Sequence, residues 1–314
     1  MAYNSGAIID DGDYNTFVTG TTTGSANHGV NNVNSIWAGG TGDKGYGQAG
    51  ALAAVTPGSI ITATQWANLF NRMTVIASHQ NTTITPLTSP AVGNEITAYN
   101  ALYTNLADIW NNRLNCAAIG TPIVASTSRT TSWQNALTYT HTITWGSAAQ
   151  RRYFFNSGGR IRLFMARSGG AANAKNTAWT TLLSDIGGLS LSGASGSGTA
   201  LIAGTTHTGF LKTGGGGTMT TYNTGIGFPS TTTSYQTLLL QYASSYVYNT
   251  NSVRVRVKRI TNGLVIETLL TDSEPDADVV NGTTNVTCNA TPPATTYISN
   301  SWGTPTVVGA VTGS

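Results

Sequence analysis

Charged side chains are scarce in this chain: Asp, Glu, Lys and Arg make up 9% of it, against roughly 25% in an ordinary soluble domain. The net charge of +3 is only the small excess of fifteen cations over twelve anions. That excludes the dense basic stripe of a typical nucleic-acid binder. Cysteine is nearly absent. Cys116 and Cys288 lie far apart, and two thiols build neither a disulfide framework nor a metal site. Both are expected as buried free thiols, a single disulfide being the alternative. The four histidines, His28, His79, His141 and His207, show no HxH or HExxH spacing, which removes the histidine metal motifs. No apolar run approaches the ~20 residues of a membrane helix. The opening Met1-Ala2-Tyr3-Asn4 lacks the basic and apolar parts of a secretion leader. The expectation is a protein made in a cytoplasm, which stays there or leaves inside an assembled particle.

Thr, Asn, Ser and Gly, with 37 glycines, fill the space that charge leaves. Surfaces of hydroxyls and amides suit β-rich extracellular or virion proteins, and Thr favours strands. Disorder is the competing reading of a polar, Gly-rich chain. The 39% hydrophobic content, with thirteen Tyr and seven Trp, argues against it. A length of 314 residues allows two cores.

The period of the pattern changes along the chain. Residues 1–60 read as an extended, loop-like arm. Its Gly39–Gln48 stretch lacks the spacing of a phosphate-binding loop and has no strand feeding it. Over 62–80 the apolar residues Trp66, Leu69, Phe70, Met73 and Ile76 keep helical spacing, with Thr62 or Thr64 as the cap. After a connector with Pro86 and Pro90, a second helix is expected over 94–114, capped by Asn94 and carrying Tyr99, Leu102, Leu106, Ile109 and Trp110. From about 120 the period becomes two. Ala136–Trp145 alternates strictly. Arg151–Arg167 reads as two strands about an Asn156-Ser157-Gly158-Gly159 turn. Ala178–Ile186 reads as a short helix or turn. Strands are expected at Tyr235–Tyr242, Tyr246–Tyr248, Ser252–Ile260 and Leu264–Leu270, with Thr261-Asn262-Gly263 turning the last pair. The fold class predicted is α+β and mainly β: an N-terminal arm and helical hairpin over 1–119, then an antiparallel, jelly-roll-like β-sandwich over 120–314.

Candidate chemistry is thin. Asp272, Glu274, Asp276 and Asp278 place oxygen ligands at alternate positions, which could suit Ca²⁺, yet the glycine and terminal glutamate of an EF-hand loop are missing; a solvated acidic loop is the simpler reading. Nothing in the sequence brings this loop to Asp185 as a glycosidase carboxylate pair. No GxSxG elbow marks a serine nucleophile. His141 falls on the apolar side of its strand, as a core histidine would. Tyr235, Tyr242, Tyr246 and Tyr248 crowd one region and permit sugar stacking, although strand aromatics usually serve the core. No catalytic residue and no cofactor is assigned.

One hairpin cannot cover two aromatic stripes, and the apolar patch left over would mark an interface. Trp66, Leu69, Phe70, Met73, Leu102, Leu106, Ile109 and Trp110 are therefore expected to form a homo-oligomer contact. The alternative is that the arm caps the patch within one chain, through Ile36 and Trp37.

Three segments resemble structural proteins of tailed bacteriophages, of the cyanophage type. They are Gly45-Tyr46-Gly47-Gln48 followed by Ile61-Thr62-Ala63 and Trp66 to Leu69, then His79-Gln80, then Tyr153-Phe154-Phe155-Asn156-Ser157-Gly158-Gly159 with Ile161. The resemblance implies a virion protein of the tail, neck or fibre, not an enzyme. It implies an oligomer, a trimer by analogy with phage fibres, that attaches to other virion proteins by its N-terminal region and displays its β domain. A carbohydrate-binding or polysaccharide-depolymerising host-recognition protein is the alternative, with a host surface glycan as partner. Nucleic acid and membrane insertion are not expected.

Overall fold

A computed structural model describes residues 11–20, 31–39, 44–89, 99–274 and 278–313. Its first part is helical: α1 (Asp11–Val18), α2 (Val33–Trp37), α3 (Ala63–Gln80) and α4 (Tyr99–Asn111). The expected loop-like arm is thus helical in two places. α3 starts where the sequence indicates. Thr62 accepts from the Gln65 backbone while the Gln65 side chain bonds back to Thr62, a capping box. Residues 90–98 lie outside those described, and with them the Asn94 cap.

The abundant amides bind backbone here. Asn15 in α1 bonds both the carbonyl and the N–H of Val55, each at 2.8 Å. Asn34 clamps Leu52 in the same two-point way, and Asn105 clamps Thr85. Each amide stands in for a neighbouring strand, so extended connectors lie against helices with their polar groups satisfied. Ring contacts close the layer: Tyr14 meets Trp66 edge-on at 5.3 Å, and Phe17 meets Tyr103 at 4.8 Å.

The second part holds β1 (Ile123–Arg129), β2 (Ala136–Thr144), α5 (Ala148–Asn156), β3 (Arg160–Ser168), α6 (Ala174–Ile186), β4 (Gly188–Leu191), β5 (Ala200–Ile202), β6 (Thr205–His207), β7 (Phe210–Lys212), β8 (Thr218–Tyr222), β9 (Gln236–Tyr242), β10 (Ser252–Ile260), β11 (Gly263–Thr271), β12 (Thr283–Thr291) and β13 (Thr306–Gly313). They build a five-stranded sheet β1-β12-β3-β4-β7, a six-stranded sheet β13-β2-β11-β10-β9-β8 and the small pair β5-β6. Every pairing between these strands is antiparallel, so the mainly β, α+β class is observed. The large sheets touch through buried groups. Tyr139 of β2 donates to the Thr284 carbonyl of β12 at 2.7 Å, and His141 of β2 meets Thr127 of β1 at 3.3 Å.

The Arg151–Arg167 stretch is not a β-hairpin. Its first half is α5, capped by Ser147, whose side chain accepts from the Gln150 N–H. β3 pairs with β12 and β4 instead. Phe154 and Phe155 are adjacent and both fully buried, because the end of α5 enters the core beside Trp145 and Phe228. Tyr246–Tyr248 is not a strand either: Tyr246 stands 91% exposed at a loop tip while Tyr248 is buried. One hydrophobic cluster runs from Tyr14 through α3, α4 and both large sheets to Trp302, across the boundary expected at 119/120.

Candidate functional site

Gly45–Gln48, His79-Gln80 and Tyr153–Ser157 meet at one buried node between helices and sheets. The Tyr46 hydroxyl donates to the Arg113 carbonyl at 2.9 Å and accepts from Gln80 Nε2 at 2.8 Å. Gln80 also reaches the Ile109 carbonyl at 2.9 Å. The neighbouring His79 donates from Nε2 to the Ser157 carbonyl at 3.0 Å, its ring edge-on to Tyr46. Asn156 donates to the Gly45 carbonyl at 3.1 Å. Gln48 exchanges two hydrogen bonds with Ser299, and Ser301 donates to the Tyr46 carbonyl. Gly47, at φ +70°, lies so close to the Tyr153 ring that a Cβ would come within 2.3 Å of it. The node ties residues 45–48, 79–80, 153–159 and 299–301 together through buried, hydrogen-bonded groups, so it acts as a joint between helices and sheets.

The cysteines are both free and buried; burial raises the Cys116 thiol pKa and pushes Cys288 up to about 12, so neither is a ready nucleophile. Among the described residues no three His, Cys, Asp or Glu side chains come together as a metal site. Asp272, the first of the four Ca²⁺ candidates, turns inward to Lys175 Nζ at 3.0 Å, and the same ammonium donates to the Asp278 carbonyl at 2.8 Å. Glu274 accepts from Thr250 at 2.7 Å. Asp276 lies outside the described residues.

The residues expected at an oligomer contact are inside a single chain. Trp66, Leu69, Phe70, Met73, Leu102, Leu106, Ile109 and Trp110 are between 0% and 8% exposed. α1 and α2 supply cover through Tyr14, Phe17, Val33 and Ile36. The leftover patch that motivated an interface is therefore closed within the chain, as the capping alternative required.

One contact escaped the sequence, and the basic cluster at Arg254, Arg256 and Lys258, visible there as alternation, gains a face and a neighbour. Arg160 is buried on β3 and donates to His207 Nε2 at 2.6 Å, which fixes a neutral imidazole protonated on Nδ1. On the outward face of β10, Arg254, Arg256 and Lys258 stand in a row beside Tyr235. Strand alternation in Val253–Lys258 is the signal that locates this row. A shallow pocket of about 320 Å³ between α6 and Ser244–Ser245 is lined by Ala174, Ala178 and the hydroxyls of Thr177 and Thr181, with no charged group.

Three buried histidines give the chain an acid limit. Burial, the largest cause in each case, lowers His79, His141 and His207 from 6.5 to about 4, and the guanidinium groups of Arg160 and Arg162 add to the shift at His207. A depressed folded pKa stabilises above the unfolded value, and that stability is lost as pH falls from 6.5 toward 4. Each imidazole accounts for up to about 3 kcal/mol of that loss. Urea unfolding at a series of pH values should show stability falling steeply across this window; a flat profile from pH 7 to 4 would contradict the buried neutral assignment.

Compared with known proteins, the chain matches no family model, no curated protein and no solved structure.

Proposed function

We propose that this chain is a structural component of a tailed-bacteriophage virion, of tail or neck appendage or fibre type. It is assembled in the host cytoplasm, attaches through its N-terminal region to other virion proteins and displays a β-sandwich of jelly-roll-like kind, without catalysis. The observation that carries the reading is the convergence of parts of the three resembling segments, Ile61–Ala63 and Trp66 to Leu69 of the first lying at the start and in the opening half of α3, away from the node. Gly45–Gln48, His79-Gln80 and Asn156–Ser157 are far apart in sequence and touch one another directly. These parts of the resemblance fall on the joint that sets helices against sheets, which supports an architectural role. The two large antiparallel sheets, the low charge and the amide clamps suit a rigid assembly unit. Among the described residues no helix is long and apolar enough to cross a membrane.

With the α3 and α4 stripes covered, self-association would use another surface, such as the outer faces of β1 and β13, where Val124 and Val308 stand 56% and 64% exposed. Light scattering on the purified chain should give the mass of a trimer of 32.6 kDa subunits, and the chain should co-sediment with tailed particles. A strict monomer that binds no particle component would overturn the reading. A second reading, contact with a host surface glycan, is favoured by the cation row on β10.

A further inference from the structure

Four of the fifteen Lys and Arg residues lie within Arg254–Arg259. On β10, Val253, Val255 and Val257 are fully buried, so Arg254, Arg256 and Lys258 alternate with them onto the outward face of the six-stranded sheet, each half-exposed. Alternate residues on a strand lie ~6.8 Å apart, and the row spans ~14 Å. The Tyr235 ring holds two of the heads in place, with Arg256 at 4.4 Å and Lys258 at 4.5 Å from its centroid. Glu267, directly across on β11, bonds Arg256 at 2.6 Å. Arg254 faces Leu269 and Lys258 faces Val265 across the same pair of strands. Among the described residues neither cation has a carboxylate partner, and the buried Nε of Arg254 has no hydrogen-bond partner. Beyond β11 the same face continues as Thr138, Thr140 and Thr142 of β2, all half-exposed.

We propose that this face binds an acidic polysaccharide, a linear glycan bearing uronate carboxylates, laid across the β10 row and the Thr hydroxyls of β2. The proposal deepens the glycan reading and rests on it. Charge density selects the ligand. A DNA duplex carries one charge per ~1.7 Å of axis, far more than three cations with one anion among them can offset, and a flat sheet offers no element to enter a groove. A uronate chain spaces its carboxylates at one per sugar or fewer. Its hydroxyls are the natural partners of threonine side chains, and heads already held by Tyr235 lose little freedom on binding. Glu267 then acts as an internal competitor for Arg256.

The test is affinity electrophoresis and biolayer binding of the full chain to alginate, with dextran, poly(dT) and duplex DNA as comparisons. Alginate should bind and weaken as salt rises above about 50 mM. Arg254→Gln with Lys258→Gln should lower affinity at least about tenfold, and Glu267→Gln should raise it severalfold. Circular dichroism checks that each variant is folded, and Lys258→Glu provides an independent single change. Tighter binding to either nucleic acid than to alginate overturns the proposal, as does unchanged alginate affinity in the folded charge variants. Dextran binding that the variants leave untouched overturns the acidic site but keeps a glycan function. Binding to neither glycan removes both.

Discussion

Asp272→Ala should lower the unfolding free energy by about 3–5 kcal/mol, and Lys175→Met by a similar amount. The double change Lys175→Met with Asp272→Leu should recover most of the loss. The two side chains are 0% and 2% exposed and meet at 3.0 Å. Lys175 lies in the first turn of α6, and Asp272 directly follows β11, so the pair fastens the helix to the exit of the six-stranded sheet. The Asp272 N–H bonds the Asn135 carbonyl at 2.7 Å, which holds the aspartate from the other side. Two charges taken out of water attract strongly but have lost their hydration, so the pair itself contributes little net stability. Removing Asp272 takes from the buried ammonium the carboxylate that meets it at 3.0 Å, and removing Lys175 leaves the buried Asp272 carboxylate without that ammonium; the lost charge pairing is the source of the large effect. Two apolar side chains in its place have no such penalty. A double-mutant cycle by urea denaturation checks this: strict additivity of the two single losses would show that the ammonium and carboxylate do not depend on each other.

How much of this was legible in the sequence depended on how local each signal is. α3 was readable because its stripe and its Thr62–Gln65 cap lie within one segment. β2 was readable because Leu137, Tyr139, His141 and Ile143 alternate with four threonines, and the structure buries exactly that face and no other in the strand. The turn between β10 and β11 followed from Asn262-Gly263. α5 was not readable, since nine residues give too few repeats to show a period, and two adjacent phenylalanines look like a strand buried on both faces. α1 was hidden by its polarity: Asn15 and Thr16 are buried, and Asn15 is satisfied by Val55, forty residues away. The candidate sites follow the same rule. The node joins Gln48 to Ser299, and the ion pair joins Lys175 to Asp272. Such partners are chosen by the fold, so sequence spacing carries no trace of them. The β10 row was visible as alternation, but which face it presents, and Glu267 beside it, came only with the register.

Leu106→Asp should unfold the whole chain instead of merely separating subunits. Leu106 is 1% exposed on α4, inside the cluster that continues through Trp145 and Phe154 to the sheets. Deleting a buried leucine costs about 2–5 kcal/mol, and placing a carboxyl there without a partner adds about 2–7 kcal/mol. Together these approach or exceed the ~5–15 kcal/mol that holds a typical domain folded. The loss cannot stay confined to the helices. α3 ends in His79 and Gln80, which bind Ser157 beyond α5 and Tyr46 beneath it, while Gln48 binds Ser299 at the far end of the chain. Loosening α4 withdraws the Arg113 and Ile109 carbonyls from Tyr46 and Gln80 and so opens the node from its centre. Phe70→Asp, from the facing side of the same layer, should act alike, whereas Ile60→Asp, at a position 89% exposed, should leave the chain intact. Far-UV circular dichroism and tryptophan fluorescence, read with light scattering, separate the cases. Simultaneous loss of strand signal and of the buried environment of Trp145 and Trp179 is the expected result. A folded monomer with its strand signal unchanged would instead mean that residues 120–314 stand alone and that the α3–α4 face serves assembly.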